Sequence, residues 1–456
     1  MNLKHNIVRI FSANFLTMIS SIIIGFLIPA ILSVENYSLV KTYTFYISYI
    51  GFFHLGYIDG MYIKYGGKDI EEINKINYKK EHHIFLIFQC LITLIFIIIS
   101  FFIKDIIVFL MALSILPINI FSFYKLFYQA TGQFKIYANY SYIYTVVYLI
   151  SNLILALFFR SQNYILYCLT NLFSNLFVFL LLEYMFFKQM HNVKVKLDLK
   201  PLVNIKIGIF ILIGNLSVVL FYALDRWFIK LFFEINQFGY YSFAISMLNI
   251  VNVLVSAISI TFYNYLSRDE DEEKIKEIKK YFIILGGFAS CGYFLLAGIV
   301  NLFLEKYIPA LSIISISFAA YPYMIVINAL YVNLYKTRKC EKRYVGVVFF
   351  MVLISLIYNV IALLLFKTTV AIAMATTLSF VTWYIYSMKD FKYTKINIKE
   401  FIYLGSIFIL FLYCAHNLHW IIGGIVYILG NLILLNTVYI KEIQKIVKIY
   451  FLKRNW

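Results

Sequence analysis

Fourteen apolar runs follow one another along this chain, each long enough to cross a bilayer and joined by short polar segments. Their approximate limits are 7–32, 38–63, 83–103, 106–128, 136–159, 162–187, 207–233, 239–265, 281–303, 307–335, 344–366, 368–388, 400–418 and 420–440. A spanning helix needs about 20 mostly apolar residues. The 456 residues are 62% hydrophobic and 14% charged, and mean hydropathy is +0.83. A water-soluble fold of this length has no interior large enough for so much apolar surface. The expected class is therefore an all-α integral membrane protein with about 14 transmembrane helices.

The basic residues orient those helices. With the N-terminus cytoplasmic, 32 Lys and Arg fall in cytoplasmic segments and four in outer loops: Lys104, Arg160, Lys306 and Lys367. Lys41, Lys125, Arg226 and Lys230 lie inside helices. Such asymmetry is the positive-inside pattern. It predicts a multi-pass protein with both termini cytoplasmic. It also accounts for the net charge of +18 without nucleic acid as a partner. The first run is too long for a signal-peptide core and reads as a retained helix. The five Cys are scattered without CxxC spacing, so neither a disulfide framework nor a metal site is expected. His416 and His419 stand three apart but lack an accompanying carboxylate or Cys.

The polar stretch 191–206, with Pro201, falls near the middle and reads as a cytoplasmic linker. It predicts an N-terminal six-helix lobe over 1–190 and a C-terminal six-helix lobe over 207–390. Residues 391–456 then hold two extra helices and a basic cytoplasmic tail. A weak internal repeat supports this division. "NFLTMISSIIIGF" from Asn14 parallels "NLSVVLFYALDRW" from Asn215, and "SVENYSLVKTYTF" parallels "FEINQFGYYSFA", each about 200 residues later. Repeated lobes flanking a central cavity are a common transporter plan. Pro29, Pro117, Pro309 and Pro322 are expected within helices, where each removes a backbone hydrogen bond and favours a kink.

Charges inside these runs are the candidate functional residues, because an ionised group in a bilayer normally faces protein or water. In "ALDRWFIKLFFE", Arg226, Lys230 and Glu234 recur every four residues and predict a charged stripe on one helix face. Asp225 lies about 100° away, directed at another helix. The second run offers "HLGYIDGMYIKYGGKD", with Asp59 in its inner half, Lys64 at its inner mouth and Lys41 toward its outer end. Gly56, Gly60, Gly66 and Gly67 would admit a close backbone or ligand. His54 reads as a satisfied polar core residue. Lys125 and Glu183, near inner helix ends, are expected to snorkel or cap. Several Asn, Asn249 and Asn252 among them, lie within helices and suit interhelical bonds or sugar hydroxyls. Neither a P-loop nor a GxSxG, HExxH or dinucleotide-binding turn is present. Active transport by such a chain would draw on an ion gradient, and no cofactor is expected.

Three segments carry a family resemblance: "LGYIDGMYIKYGGKD" (55–69), "GNLSVVLFYALDRWFI" (214–229) and "FGYYSFAISML" (238–248). They resemble the Wzx-type polysaccharide flippases of the multidrug/oligosaccharidyl-lipid/polysaccharide exporter superfamily. The resemblance implies two six-helix lobes around a central cavity, plus two C-terminal helices, in the bacterial cytoplasmic membrane. It implies that the protein is no enzyme. It would move undecaprenyl-diphosphate-linked oligosaccharide repeat units, for O-antigen, capsule or lipopolysaccharide, from the inner to the outer leaflet. Its partners would be the lipid-linked oligosaccharide, membrane lipids and a polysaccharide polymerase. Under that reading Arg226, Lys230, Lys64 and Lys41 hold the diphosphate, and Asp59 and Asp225 serve ion coupling. Two alternatives stand beside it. A drug or cation exporter of the same superfamily would favour acidic cavity walls. A membrane polysaccharide polymerase would carry a large outer loop, whereas the outer loops here are short.

Overall fold

The computed structural model describes residues 3–196, 198–267 and 271–440. Every regular element among them is helical. The basic tail, 441–456, and part of the acidic loop, 268–270, lie outside the described residues. The fold falls into two compact units, 1–216 and 217–456.

In the first unit, α1 (Leu3–Ile31) packs along α6 (Phe134–Leu153), and α4 (Lys75–Ile103) packs on α5 (Ile106–Ala130). α7 (Tyr164–Met190) closes against α5 and α6. Side chains such as Phe102 and Phe158, 84% and 82% exposed, stand on the outer surface of the helices. An apolar exterior of this kind suits lipid rather than water. α6 ends in a π-helical turn over Ile154–Phe158.

The second expected span is not one helix. It runs as α2 (Val34–Ile47), a 3₁₀ turn at Ile50–Phe52 and α3 (Tyr57–Tyr65). The chain breaks at Leu55 and Gly56, with φ of 50° and 83°. The left-handed region that ends α-helical geometry is open to glycine, so Gly56 sets the break. A second glycine, Gly208, fixes its position. A Cβ at Gly56 would meet the Gly208 carbonyl carbon and the Ile209 nitrogen at 2.6 Å. A Cβ at Gly60 would strike the Asn204 carbonyl. α3 thus lies backbone to backbone on the start of α8 (Val203–Phe232). The boundary between the two units falls inside α8.

The second unit continues through α9 (Ile235–Leu266), α10 (Glu272–Ala289) and α11 (Gly292–Phe303). α9 begins about 200 residues after α2, in register with the repeat. The expected tenth span bends by 50° between Glu305–Phe318 and Tyr321–Thr337. It comprises a 3₁₀ stretch holding Pro309, then α12 (Leu311–Phe318), α13 (Tyr321–Ile325), a π-helical stretch Val326–Tyr331 and α14 (Val332–Thr337). Pro322 sits in the first turn of α13, where its missing N–H leaves no gap in the hydrogen-bond ladder. The bend thus falls beside Pro322, and Pro29 and Pro117 lie within α1 and α5. α15 (Glu341–Leu365) pairs with α16 (Thr369–Ser387), and α17 (Ile398–Asn417) with α18 (Trp420–Val438).

Eleven of the described helices are long and apolar enough to span a bilayer, and the bent pair makes a twelfth. The two other expected spans coincide with the broken α2–α3 segment and with α9.

Candidate functional site

α8 carries "ALDRW" into the second unit, and its side chains there line a cavity of about 150 Å³. Asp225 and Arg226 form one wall, α9 adds Asn249 and Asn252, and α16 adds Thr376 and Phe380. Ala320 and Met324, at the bend of the tenth span, close another side. Broken helices at membrane depth are tolerated where they line such a cavity.

Asp225 is 2% exposed and would be costly there without donors. The hydroxyl of Tyr241 donates to Oδ2 at 2.7 Å, and Thr376 adds a longer bond at 3.4 Å. The backbone N–H of Arg226 donates to Oδ1 at 2.7 Å. Donors from α8, α9 and α16 therefore fix the carboxylate, and Arg226 follows it directly on the chain. Tyr222, one turn earlier, donates to Oδ1 of Asn328 at 2.8 Å. Asn328 lies in the π-helical stretch, and its carbonyl accepts from Ser259 at 2.9 Å. That bond engages a carbonyl of the widened turn and ties the bent span to α9.

The charged stripe is shorter than the sequence spacing suggests. α8 ends at Phe232, and Glu234 is the exposed residue that precedes α9, so it leaves the Arg226 face. Lys230 lies with its Nζ 5.3 Å from the centroid of the Phe238 ring. It is not among the residues lining the cavity.

The other predicted residues lie in the first unit. Lys41, on α2, stands with Nζ 5.3 Å from the Tyr37 ring centroid. Lys64, on α3, pairs with Glu81 of α4, which is only 1% exposed, and Tyr57 donates to the Glu81 carbonyl at 2.9 Å. Asp59 is half-buried just after the helix break. Its Oδ2 lies 3.9 Å from Nε2 of His54. Nδ1 of His54 accepts from the backbone N–H of Gly56 at 3.0 Å, so a neutral imidazole carries its proton on Nε2, toward Asp59. The helix break thus makes a His–Asp pair that spacing on a continuous helix would not make. Glu183 does not snorkel: it is 6% exposed and bonded to His82 and Tyr124.

Some polar groups had no signal in the sequence. Tyr241 and Thr376 are ordinary residues of their helices until α8 brings Asp225 between them. His82, Tyr124, Lys279 and Glu400 stand at ends of apolar runs, where charge is normal. Yet Lys279 and Glu400, both at most 3% exposed, meet at 2.6 Å. Tyr384 also donates to Glu400.

Comparison with solved structures gives a match over nearly the whole chain. The structure titled "Lipid II flippase MurJ, inward closed conformation" superposes with a TM-score of 0.70 at 15% identity, covering 96% of this chain and 100% of that one. At that identity the likeness is one of fold, and the chain has this all-helical membrane fold. No family model and no curated protein sequence matches it.

Proposed function

We propose that this protein is a flippase. It translocates undecaprenyl-diphosphate-linked oligosaccharide repeat units from the inner to the outer leaflet for surface polysaccharide synthesis, driven by an ion gradient. The observation that carries the reading is the cavity of the second unit, whose lining brings Arg226 together with hydroxyls, amides and the Phe380 ring. A guanidinium matches phosphate oxygens with a planar fork, amides and hydroxyls match sugar hydroxyls, and an aromatic face matches a sugar ring. A fold shared with a lipid II flippase supports the same substrate class.

In this reading Arg226 grips a phosphate, and Lys230, Lys64 and Lys41 add positive charge along the route. Asp225 holds Arg226 in place, and Asp59 carries the coupling proton. Both termini are cytoplasmic, and a polysaccharide polymerase takes the product at the outer face. Against a cation exporter stands the composition of the cavity, where the one carboxylate, Asp225, already receives three donors.

The test is flipping in proteoliposomes of a lipid-linked diphosphate oligosaccharide, beside export of a cationic dye. Arg226→Ala should abolish oligosaccharide flipping while the protein still inserts. Arg226→Lys should restore only part of it, because an ammonium cannot make the two-point contact. Undiminished flipping by Arg226→Ala, or dye export without flipping, would reject the reading.

A further inference from the structure

The first unit holds a second polar centre that the substrate reading does not use. His82 of α4, Tyr124 of α5 and Glu183 of α7 converge from three helices. Nε2 of His82 lies 2.7 Å from Oε1 of Glu183, and the Tyr124 hydroxyl donates to the same oxygen at 3.0 Å. That hydroxyl also lies 2.9 Å from Nε2 of His82. His82 and Tyr124 are each 1% exposed. The Phe186 ring covers the imidazole, centroid to centroid at 3.9 Å, and Phe123 flanks it at 5.9 Å.

The surrounding titratable groups are engaged elsewhere or are aromatic. Glu81, the preceding residue on α4, is paired with Lys64 of α3. Lys79 donates to the carbonyls of Met190 and Val193 at the end of α7, both at 2.8 Å. His83 lies against the Lys79 carbonyl at 2.7 Å. Tyr78 of α4 and Tyr128 of α5 complete the shell. A positive partner for Glu183 is therefore supplied by His82 alone among these groups.

This arrangement favours holding one proton. With one proton shared, as imidazolium and carboxylate or as imidazole and carboxylic acid, the couple is neutral overall. Without it the couple carries a net negative charge in an aromatic shell, and with a second proton a net positive one. Either charge is costly in a dry site. Nδ1 of His82 and Oε2 of Glu183 have no hydrogen-bond partner among the described residues, and these are the atoms open to a further proton.

A path to the couple is also present. A cavity of about 250 Å³ opens at the same end of the unit, between Ile73 and Lys75 on one side and Met190 on the other. Its walls include Phe186, which packs on His82, Tyr128, which packs on Tyr124, and Tyr78, which packs on Phe186. One aromatic layer separates cavity and couple.

We infer that His82 and Glu183 form a proton-binding site of the first unit, reached through this cavity, with Phe186 as the layer between them. The inference deepens the ion-coupled reading above, but its test needs no substrate. Full-length protein in lipid nanodiscs is titrated while the His82 imidazole is followed by nuclear magnetic resonance and the Glu183 carboxyl band by infrared difference spectra. Both should change together, with one shared midpoint, across the pH range in which the protein stays folded. Glu183→Gln should change the proton affinity of His82 at least about tenfold, which is one pH unit. Tyr124→Phe, which keeps the shape, should change it less. Phe186→Ala should speed proton exchange at His82. If Glu183→Gln does not fold, the wild type and Tyr124→Phe decide. Constant His82 and Glu183 signals across that range would overturn the inference, as would independent midpoints. An intact joint titration in a protein that flips no oligosaccharide would support this site and count against the proposed substrate.

Discussion

Tyr241 donates its hydroxyl to Oδ2 of Asp225 at 2.7 Å, joining α9 to the buried acid of α8. Asp225 precedes Arg226, so this bond also bears on where the guanidinium stands. Tyr241→Phe removes the donor with almost no change of shape. It should cost about 1–3 kcal/mol of stability, the range for an under-satisfied buried polar group. Thermal unfolding in detergent measures that loss, and flipping should fall with it. An unchanged melting temperature would mean that Thr376 and the Arg226 N–H suffice.

The three-glycine contact makes a second prediction. A methyl group at Gly60 or Gly208 would enter backbone of the facing segment. Gly60→Ala and Gly208→Ala should each destabilise by about 1–3 kcal/mol, because backbone cannot turn aside as a side chain can. Gly405 is the control, since a methyl group there would meet nothing within 4 Å. Gly405→Ala should be neutral or stabilising by up to about 1 kcal/mol, as glycine is costly within a helix. Equal effects at all three positions would show that the contact is not tight.

Asp59 and Asp225 should separate in an imposed pH gradient. Asp59→Asn should abolish the response of flipping to the gradient and leave slow downhill movement. Asp225→Asn should impair both, because it disturbs the Arg226 site. A gradient response retained in Asp59→Asn would remove that residue from coupling. His54→Gln should weaken the response in the same direction, since Nε2 of His54 faces Asp59.

Outside the spans, Asp390 gives a pH prediction. Burial alone would raise its carboxyl, but Arg343, Tyr335 and Lys389 together outweigh burial. The Nε and one terminal nitrogen of Arg343 bond the two carboxylate oxygens at 2.9 and 3.0 Å. Tyr335 adds a bond at 2.6 Å. The carboxyl is held below the usual carboxylate range. A depressed carboxyl stabilises the fold above its unfolded-state value, and this contribution is lost as pH falls through the folded-state value. Arg343 is half exposed, so solvent screening limits the effect to about 1 kcal/mol or less. Melting curves of wild type and Asp390→Asn should therefore differ at neutral pH and converge in acid. A gap that does not narrow as the pH falls would assign the effect to packing.

The sequence by itself determined the class of the protein and the approximate limits of most helices. Those features are local: a bilayer demands apolar runs of fixed length, and each run declares itself without reference to the others. It also singled out Asp225 and Arg226, since charge within an apolar run is conspicuous. Tertiary structure decided the rest. Val34–Tyr65 is apolar enough to read as one helix, yet Gly56 in contact with Gly208 breaks it and brings His54 to Asp59. Glu234 keeps the four-residue spacing, but α8 ends before it and the stripe stops. Tyr241 and Thr376 became donors, and His82 and Glu183 a couple, only because helices far apart in sequence pack side by side. The bilayer fixes how long each helix must be, while close packing and the need to satisfy buried polar groups fix which residues face each other.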